Sequence, residues 1–141
     1  MNSKNIGNIG EAKTLAKFVE LGVPVYIPFG DNEKADLVAE FNGKLNKIQC
    51  KTSAKLGRNN SIVVNAVSSY SNSHSTIITG YSKDDADYFS IYNVETDTLV
   101  LFPNNGKYRG KISIRVTPPL NNQRKDINFA EDFTFERIIN T

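Results

Sequence analysis

The chain has 141 residues, of which 39% are hydrophobic and 23% charged, a balance typical of one soluble globular domain. Its single cysteine excludes an internal disulfide, and no apolar run reaches the ~18 residues of a membrane span. The N-terminus also lacks the apolar core of a signal peptide. We therefore expect one cytoplasmic domain over residues 1–141, in a compartment where thiols stay reduced.

The net charge is only +2, but it is unevenly distributed along the chain. Residues 1–60 and 102–128 hold more Lys and Arg than Asp and Glu, whereas residues 61–101 are acidic. Two basic segments can place phosphate-binding charge on one surface. An ordinary solvated surface explains the same distribution equally well.

The N-terminal segment carries a pattern of apolar residues at helical spacing. The residues of this stripe are Ile9, Ala12, Leu15, Ala16 and Val19. The stripe predicts a helix over residues 5–21, with Gly22 as its C-terminal stop. Residues 23–28 are predicted to form a short strand that two prolines confine to a sheet edge, and residues 30–34 a polar loop.

A β-hairpin is the clearest local prediction. Ala35–Phe41 and Lys44–Lys51 are strand-like runs separated by Asn42-Gly43, the preferred dipeptide of a two-residue type I′ turn. Such a turn fixes the register, so that Leu37 faces Ile48 and Asp36 faces Gln49. Because side chains alternate along a strand, the hairpin has an apolar and a polar face. The apolar face carries Ala35, Leu37, Ala39, Phe41, Ile48 and Cys50. The polar face carries Asp36, Gln49 and Lys51, with Lys34, Val38, Glu40 and Lys47 nearby.

The rest of the chain is predicted to consist of a basic loop over residues 55–61, further strands and a short helix over residues 129–139. The predicted strands are Ser61–Val67, Ser75–Tyr81, Asp87–Tyr92, Thr98–Phe102 and Lys111–Val116. Ser68–Ser75 is predicted to be a turn or loop, and the strands at 87–92 and 98–102 to form a second hairpin. The expected fold class is α/β, with a mixed central sheet flanked by helices.

The polar face of the first hairpin suits phosphodiester hydrolysis. Facing residues have Cβ atoms ~4.5–5.5 Å apart, so Asp36 and Gln49 can share Mg²⁺, with the backbone carbonyl of Cys50 as a third oxygen ligand. Lys51 can hold the attacking water and stabilise the transition state. Glu11, at the edge of the helical stripe, can reach the rim of the sheet. The alternative is structural, with an aspartate that caps a turn and two solvent-facing side chains.

The order of these residues resembles the PD-(D/E)XK nuclease superfamily, whose members share the restriction-endonuclease-like fold. Three blocks carry this resemblance: Gly7-Asn-Ile-Gly-Glu11, Ala35-Asp-Leu-Val38 and Lys47-Ile-Gln-Cys-Lys-Thr52. Later segments are similar to one bacterial branch, typified by a group I intron-encoded homing endonuclease that also has Gln in the third motif. These segments are Asp87-Tyr-Phe89, Glu95-Thr-Asp97, Leu101-Phe-Pro103, Ile114-Arg-Val116, Asn121-Asn-Gln123 and Ala130-Glu-Asp-Phe133.

The resemblance implies a Mg²⁺-dependent endonuclease that hydrolyses double-stranded DNA, with homing as the expected role. By position it makes Asp36 and Gln49 metal ligands, Lys51 the catalytic lysine and Glu11 the helix carboxylate. Gln49 replaces an acidic residue usual in the superfamily, so metal affinity should fall unless Glu11 compensates. Because a duplex cut on both strands needs two active sites, we expect a homo-oligomer, either a dimer or a tetramer.

The expected DNA contacts come from the basic segments. The candidates for phosphate contacts are Lys55, Arg58, Arg115, Arg124 and Lys125, and the candidates for reading base edges are Asn121, Asn122 and Gln123. An ordinary basic loop is the alternative. Three other functions remain open: a structure-specific nuclease of the Holliday-junction-resolvase kind, a restriction enzyme, and a catalytically inactive DNA-binding protein of the same fold.

Overall fold

The computed structural model describes residues 2–30, 35–71, 76–80, 84–106, 110–117 and 125–139. Within these ranges the chain forms two α-helices, nine β-strands and two short 3-10 turns, at Arg58–Asn60 and Ala130–Phe133. The helices and strands in chain order are α1 Ser3–Glu20, β1 Val25–Tyr26, β2 Leu37–Phe41, β3 Lys44–Ser53, β4 Ser61–Asn65, β5 Val67–Ser71, β6 Thr76–Gly80, β7 Tyr88–Asn93, β8 Thr98–Pro103, β9 Lys111–Arg115 and α2 Phe135–Ile139.

The central sheet has five strands in the order β1-β2-β3-β7-β8. Its neighbouring strands are antiparallel except for β3 and β7, which are parallel. Strands β4 and β9 form a separate antiparallel pair, as do β5 and β6. The predicted α/β class with a mixed sheet is therefore confirmed, as is the second hairpin, formed by β7 and β8. Strand β5 lies where a turn was predicted, whereas residues 72–75 lie outside the described residues.

The predicted first hairpin and its register are confirmed. Residues 37–41 of β2 pair with residues 44–48 of β3 in the expected order. Asn42 and Gly43 have φ angles of 53° and 73°, and positive values at both positions are what a type I′ turn requires. The buried Asn46 adds a side-chain lock, because its Nδ2 donates to the carbonyls of Ala39, Phe41 and Lys44 at 3.0–3.3 Å.

Both strands of this hairpin differ from the prediction at the end away from the turn. Strand β2 begins at Leu37 rather than at Ala35, so Asp36 precedes the ladder. The predicted pairing of Asp36 with Gln49 is therefore wrong. Strand β3 continues beyond Lys51 because its parallel pairing with β7 extends to its last residue. The hairpin therefore carries Asp36 on a bend rather than on a strand.

Helix α1 forms where predicted but buries a different face. Its buried residues are Gly10, Thr14 and Phe18, spaced one turn apart. The predicted apolar stripe points mostly outwards, since 39% of Leu15 and 63% of Val19 is exposed. Of the other stripe residues, Ala12 and Ala16 are exposed and Ile9 is half-buried.

The core lies on both faces of the central sheet. On one face α1 and α2 pack through Phe18, whose ring centroid is 6.1 Å from that of Phe41 and 5.0 Å from that of Phe135. On the other face β4 and β9 cover the β7–β8 half of the sheet. That second cluster consists of Ile62, Val64, Ala66, Phe89, Ile91, Val100, Phe102, Ile112 and Ile114. Neither described helix is long and apolar enough to cross a membrane.

Candidate active site

Helix α1 and the β2–β3 hairpin enclose a cavity of about 430 Å³. All four predicted catalytic residues line it, together with Cys50. The full lining consists of Ser3, Ile6, Gly7, Glu11, Asp36, Gln49, Cys50, Lys51, Thr52 and Ala54. The structure thus brings together residues that are up to 51 positions apart in the chain, from Ser3 to Ala54.

Two backbone hydrogen bonds hold Asp36 at this cavity. Its N–H donates to the Ile48 carbonyl at 2.8 Å, and its Oδ2 accepts the N–H of Cys50 at 2.8 Å. Burial raises the pKa of Asp36, while the Cys50 N–H and the charge of Lys51 act in the opposite direction. The carboxylate is therefore oriented by the backbone of β3, without a regular strand pairing, at the cavity that Gln49 also lines.

The side-chain amide of Gln49 is poorly satisfied within the described part of the chain. Gln49 Oε1 is buried and accepts no hydrogen bond from any described residue, and its Nε2 makes only a long 3.5 Å contact with the Cys50 carbonyl. Leaving a buried acceptor unsatisfied costs about 1–3 kcal/mol. A carboxylate, an amide oxygen and a backbone carbonyl are the ligands that Mg²⁺ prefers, so these residues fit a hard cation.

The charged groups of the cavity influence one another. Burial and then the charge of Asp36 raise the pKa of Glu11. Burial lowers the pKa of Lys51, and the charge of Asp36 partly opposes this effect. The described residues hold no cluster of three or more His, Cys, Asp or Glu side chains that would bind a metal. A metal site here therefore depends on the amide oxygen of Gln49 as well as on the two carboxylates.

The thiol of Cys50 is not suited to act as a nucleophile. Burial, helped by the charges of Asp36 and Glu11, raises the pKa of the thiol to about 12, although a hydrogen bond with Thr14 lowers it. The thiolate is the nucleophilic form of cysteine, and this thiol stays protonated at neutral pH. Only the backbone carbonyl of Cys50 is suited to the cavity's chemistry.

The predicted DNA contacts are only partly placed near the cavity. Lys55 directly follows Ala54, which lines the cavity, and Arg58 lies four residues after Ala54; both are exposed. Arg115 is half-buried at the end of β9, and its Nε is buried without a hydrogen-bond partner among the described residues. Lys125 is exposed. The candidates Asn121, Asn122, Gln123 and Arg124 lie outside the described residues, as does Lys34.

Several lining residues are absent from the sequence prediction. Ser3 and Gly7 precede Glu11 on α1 at intervals of four residues, a spacing that places all three on one helical face. That regularity is a signal in the sequence that points to this side of the helix. Thr52 directly follows Lys51, but nothing in the sequence indicates that it contacts the helix.

The family of the chain follows from comparison with known proteins. The model of the PD-(D/E)XK endonuclease family matches residues 1–136. A solved structure of a bacterial homing endonuclease, I-Ssp6803I, superposes with a TM-score of 0.76 and 23% sequence identity, covering 94% of this chain and 88% of that chain. No curated protein matches the chain in sequence. The predicted restriction-endonuclease-like fold is confirmed, and the chain belongs to the PD-(D/E)XK endonuclease family.

Proposed function

We propose that this chain is a Mg²⁺-dependent endodeoxyribonuclease that cleaves double-stranded DNA as a sequence-specific homing endonuclease. The observation that carries the proposal is that Glu11, Asp36, Gln49 and Lys51 line one cavity, and that the buried Oε1 of Gln49 has no hydrogen-bond partner among the described residues. The proposal treats residues 1–141 as one nuclease domain that acts on DNA in the cytoplasm.

Each residue of the cavity has a proposed role. Asp36, Gln49 and the carbonyl of Cys50 would hold Mg²⁺, and Glu11 would bind through a water molecule or hold a second ion. When bound, the ion would supply positive charge close to the phosphate and to the attacking water. The ammonium of Lys51 orients the attacking water and balances the charge that develops on the phosphate oxygens.

Exposed cations beside the cavity support binding to the DNA backbone. Lys55 and Arg58 are the described candidates closest in sequence to the cavity lining. We propose that they contact phosphates, with Arg115, Arg124 and Lys125 as further candidates. Asn121, Asn122 and Gln123 are the candidates for reading base edges. Phosphate contacts release counterions, so DNA affinity should fall steeply with salt.

The proposal includes a homo-oligomer, a dimer or a tetramer, because cutting both strands needs two active sites. An open part of the sheet supports a protein partner: Tyr26, Ile27 and Leu45 are 50–68% exposed. They border a second cavity of about 430 Å³ that also contains Glu40 and Lys44. Opposite charges on one apolar patch can pair across a two-fold axis, whereas a phosphate backbone would need positive charge alone.

The oligomer is tested by light scattering on purified protein. Leu45→Lys should reduce the measured mass to that of a monomer. Val19→Lys is the matched control, because Val19 is 63% exposed on α1, outside this patch, and it should leave the mass unchanged. A wild-type monomer at micromolar concentration, or dissociation by Val19→Lys alone, would contradict the proposed interface.

The catalytic proposal is tested by cleavage of a random-site DNA library with and without Mg²⁺. Asp36→Asn and Lys51→Ala should each reduce cleavage by roughly 10²–10³-fold or more, since each removes charge that acts in the transition state. Lys47→Ala, on the same strand and face as Lys51, serves as the matched control and should retain most activity. A fully active Asp36→Asn protein would refute the assignment.

The substrate class is tested by comparing two DNA forms. The homing proposal predicts cleavage at one long sequence in linear duplex, supported by the fold shared with a bacterial homing endonuclease. Preferential cleavage of four-way junctions, independent of sequence, would instead indicate a junction-resolving nuclease. Binding without cleavage at any Mg²⁺ concentration would indicate an inactive DNA-binding protein.

A further inference from the structure

Gly10 lies where α1 contacts β3 beside the cavity. A Cβ placed on Gly10 would stand 1.9 Å from Thr52 Oγ1 and 3.1 Å from Thr52 Cβ. Gly10 directly precedes Glu11 on the helix, and Thr52 directly follows Lys51 on the strand. The contact between helix and strand is therefore formed by the immediate neighbours of two residues that line the cavity.

A second contact fixes the next turn of the helix. The Thr14 hydroxyl donates to the Gly10 carbonyl at 2.8 Å and lies 2.6 Å from Ser90 Oγ on β7. Thr14 and Ser90 are both almost completely buried, so water does not compete for these hydrogen bonds. The depth of α1 against the sheet is thus set at two points, and Gly10 takes part in both.

Glycine in this position is unfavourable for the helix alone. Within a helix it costs about 1 kcal/mol relative to alanine, so close packing is what requires it here. Gly7, one turn earlier, has no such requirement, because a Cβ placed there would meet nothing within 4 Å. Of these two glycines on α1, only Gly10 is packed too closely to accept a Cβ.

We propose that Gly10 is a positioning residue, whose missing side chain lets α1 approach Thr52 and so holds the Glu11 carboxylate at the cavity that contains Asp36 and Gln49. The inference rests on the proposed nuclease function and deepens it. An alanine at position 10 would fall more than 1 Å short of the 3.0 Å separation that Cβ contacts keep from Thr52 Oγ1. Rotation of the Thr52 side chain can move this oxygen but leaves Thr52 Cβ at 3.1 Å, so the helix and the strand must still move apart. A misplacement of ~1 Å can cost ~10²-fold in rate.

The test is a double-mutant cycle on full-length protein. Four variants are compared with the wild type: Gly10→Ala, Thr52→Ala, the double variant, and Gly7→Ala. The readouts are the rate of Mg²⁺-dependent cleavage, the Mg²⁺ affinity without DNA by calorimetry, and the melting temperature. Gly10→Ala should lower cleavage by roughly 10²-fold and weaken Mg²⁺ binding several-fold.

The Thr52→Ala background should relieve the Gly10→Ala defect, because it removes the hydroxyl oxygen that the new Cβ would meet at 1.9 Å. In that background Gly10→Ala should lower cleavage by less than ~10-fold, a coupling expected only for residues in contact. Gly7→Ala controls for helix propensity, and its melting temperature should equal or exceed that of the wild type.

Three results would overturn the positioning role. In the first, Gly10→Ala cleaves DNA and binds Mg²⁺ like the wild type. In the second, Gly10→Ala melts at a lower temperature but keeps wild-type cleavage and Mg²⁺ affinity. In the third, Gly10→Ala loses the same amount of cleavage with Thr52 as with Ala at position 52. If Gly10→Ala does not fold, Thr52→Val places a bulkier methyl group towards Gly10 and should lower cleavage several-fold in a folded protein. Wild-type cleavage in that variant would also overturn the role. A wild-type protein that neither cleaves DNA nor binds Mg²⁺ would instead refute the proposed function.

Discussion

Replacing Gln49 by Glu tests whether this side chain faces the two carboxylates of the cavity. The substitution keeps the shape of the side chain and adds one negative charge. Burial already raises the pKa of Asp36, and burial together with the charge of Asp36 raises the pKa of Glu11. A third carboxylate should therefore increase repulsion in a cluster that is already costly to ionise.

The size of the effect follows from Coulomb's law. At an effective dielectric constant of ~20, two like charges between ~4 and ~8 Å apart repel by about 2–4 kcal/mol, and the nearby Lys51 offsets part of this. We expect Gln49→Glu to lower the free energy of unfolding by about 2 kcal/mol at pH 8 without metal, because the attraction to Lys51 offsets part of the repulsion between the carboxylates. For a chain of this length that corresponds to roughly 8 °C in melting temperature.

The pH dependence has a definite sign. The pKa values of Glu11 and Asp36 are raised in the folded protein, so folding favours their protonated forms. Their contribution to stability is present below the unfolded-state pKa and is lost as pH rises through the folded-state pKa. The destabilisation caused by Gln49→Glu should therefore be large at pH 8 and should shrink as the pH falls towards 4.

The assay is thermal melting with and without Mg²⁺ at both ends of this pH range. Mg²⁺ that binds only the folded state raises its stability, and Gln49→Glu should gain more from Mg²⁺ than the wild type while retaining cleavage. Asn65→Asp is a matched amide-to-carboxylate control in β4, where Lys111 is its cross-strand neighbour, and it should not lower the melting temperature. A Gln49→Glu protein with wild-type melting and a wild-type response to Mg²⁺ would refute the reasoning, because Gln49 would then lie away from the carboxylates.

Three further predictions concern stability and DNA binding. In urea denaturation, Phe18→Ala should lower the free energy of unfolding by about 3–5 kcal/mol, whereas Val19→Ala should lower it by less than ~0.5 kcal/mol. Equal losses in the two variants would contradict the buried face of α1. Gly43→Ala should cost about 1–2 kcal/mol in the same assay because its φ is positive, and an unchanged midpoint would argue against the turn. Combining Lys55→Ala with Arg58→Ala should reduce the slope of log affinity against log salt by roughly 2 in fluorescence anisotropy, whereas an unchanged slope would remove both from the interface.

The first hairpin was predictable from the sequence because its cause is local. Two adjacent residues, Asn42 and Gly43, adopt the positive φ angles that the turn needs, and the turn then determines the pairing of the strands on either side. This local signal ends where the ladder ends. The backbone bonds that place Asp36 beside Cys50 arise from a bend, which strand alternation does not describe.

The buried face of α1 was not predictable from apolar periodicity. Such periodicity counts apolar residues, whereas this helix buries a glycine and a threonine beside Phe18. The partner of Thr14 is Ser90, 76 positions away, and nothing local in the sequence links the two. The same limit applies to the parallel pairing of β3 with β7, which depends on strands that are distant in the chain.

If Gln49 acts as proposed, the composition of the cavity explains how an amide can serve in place of an acidic residue. The backbone N–H of Cys50 and the charge of Lys51 lower the pKa of Asp36, but burial has the larger effect, so the pKa is still raised. An additional carboxylate would have to ionise in the same surroundings, at the cost in Coulomb repulsion described above. Under the proposed function Gln49 contributes an oxygen ligand without that repulsion. Because the amide is neutral, it attracts Mg²⁺ more weakly than a carboxylate would. The position of Glu11, and hence the packing of Gly10, then matters more for holding the ion.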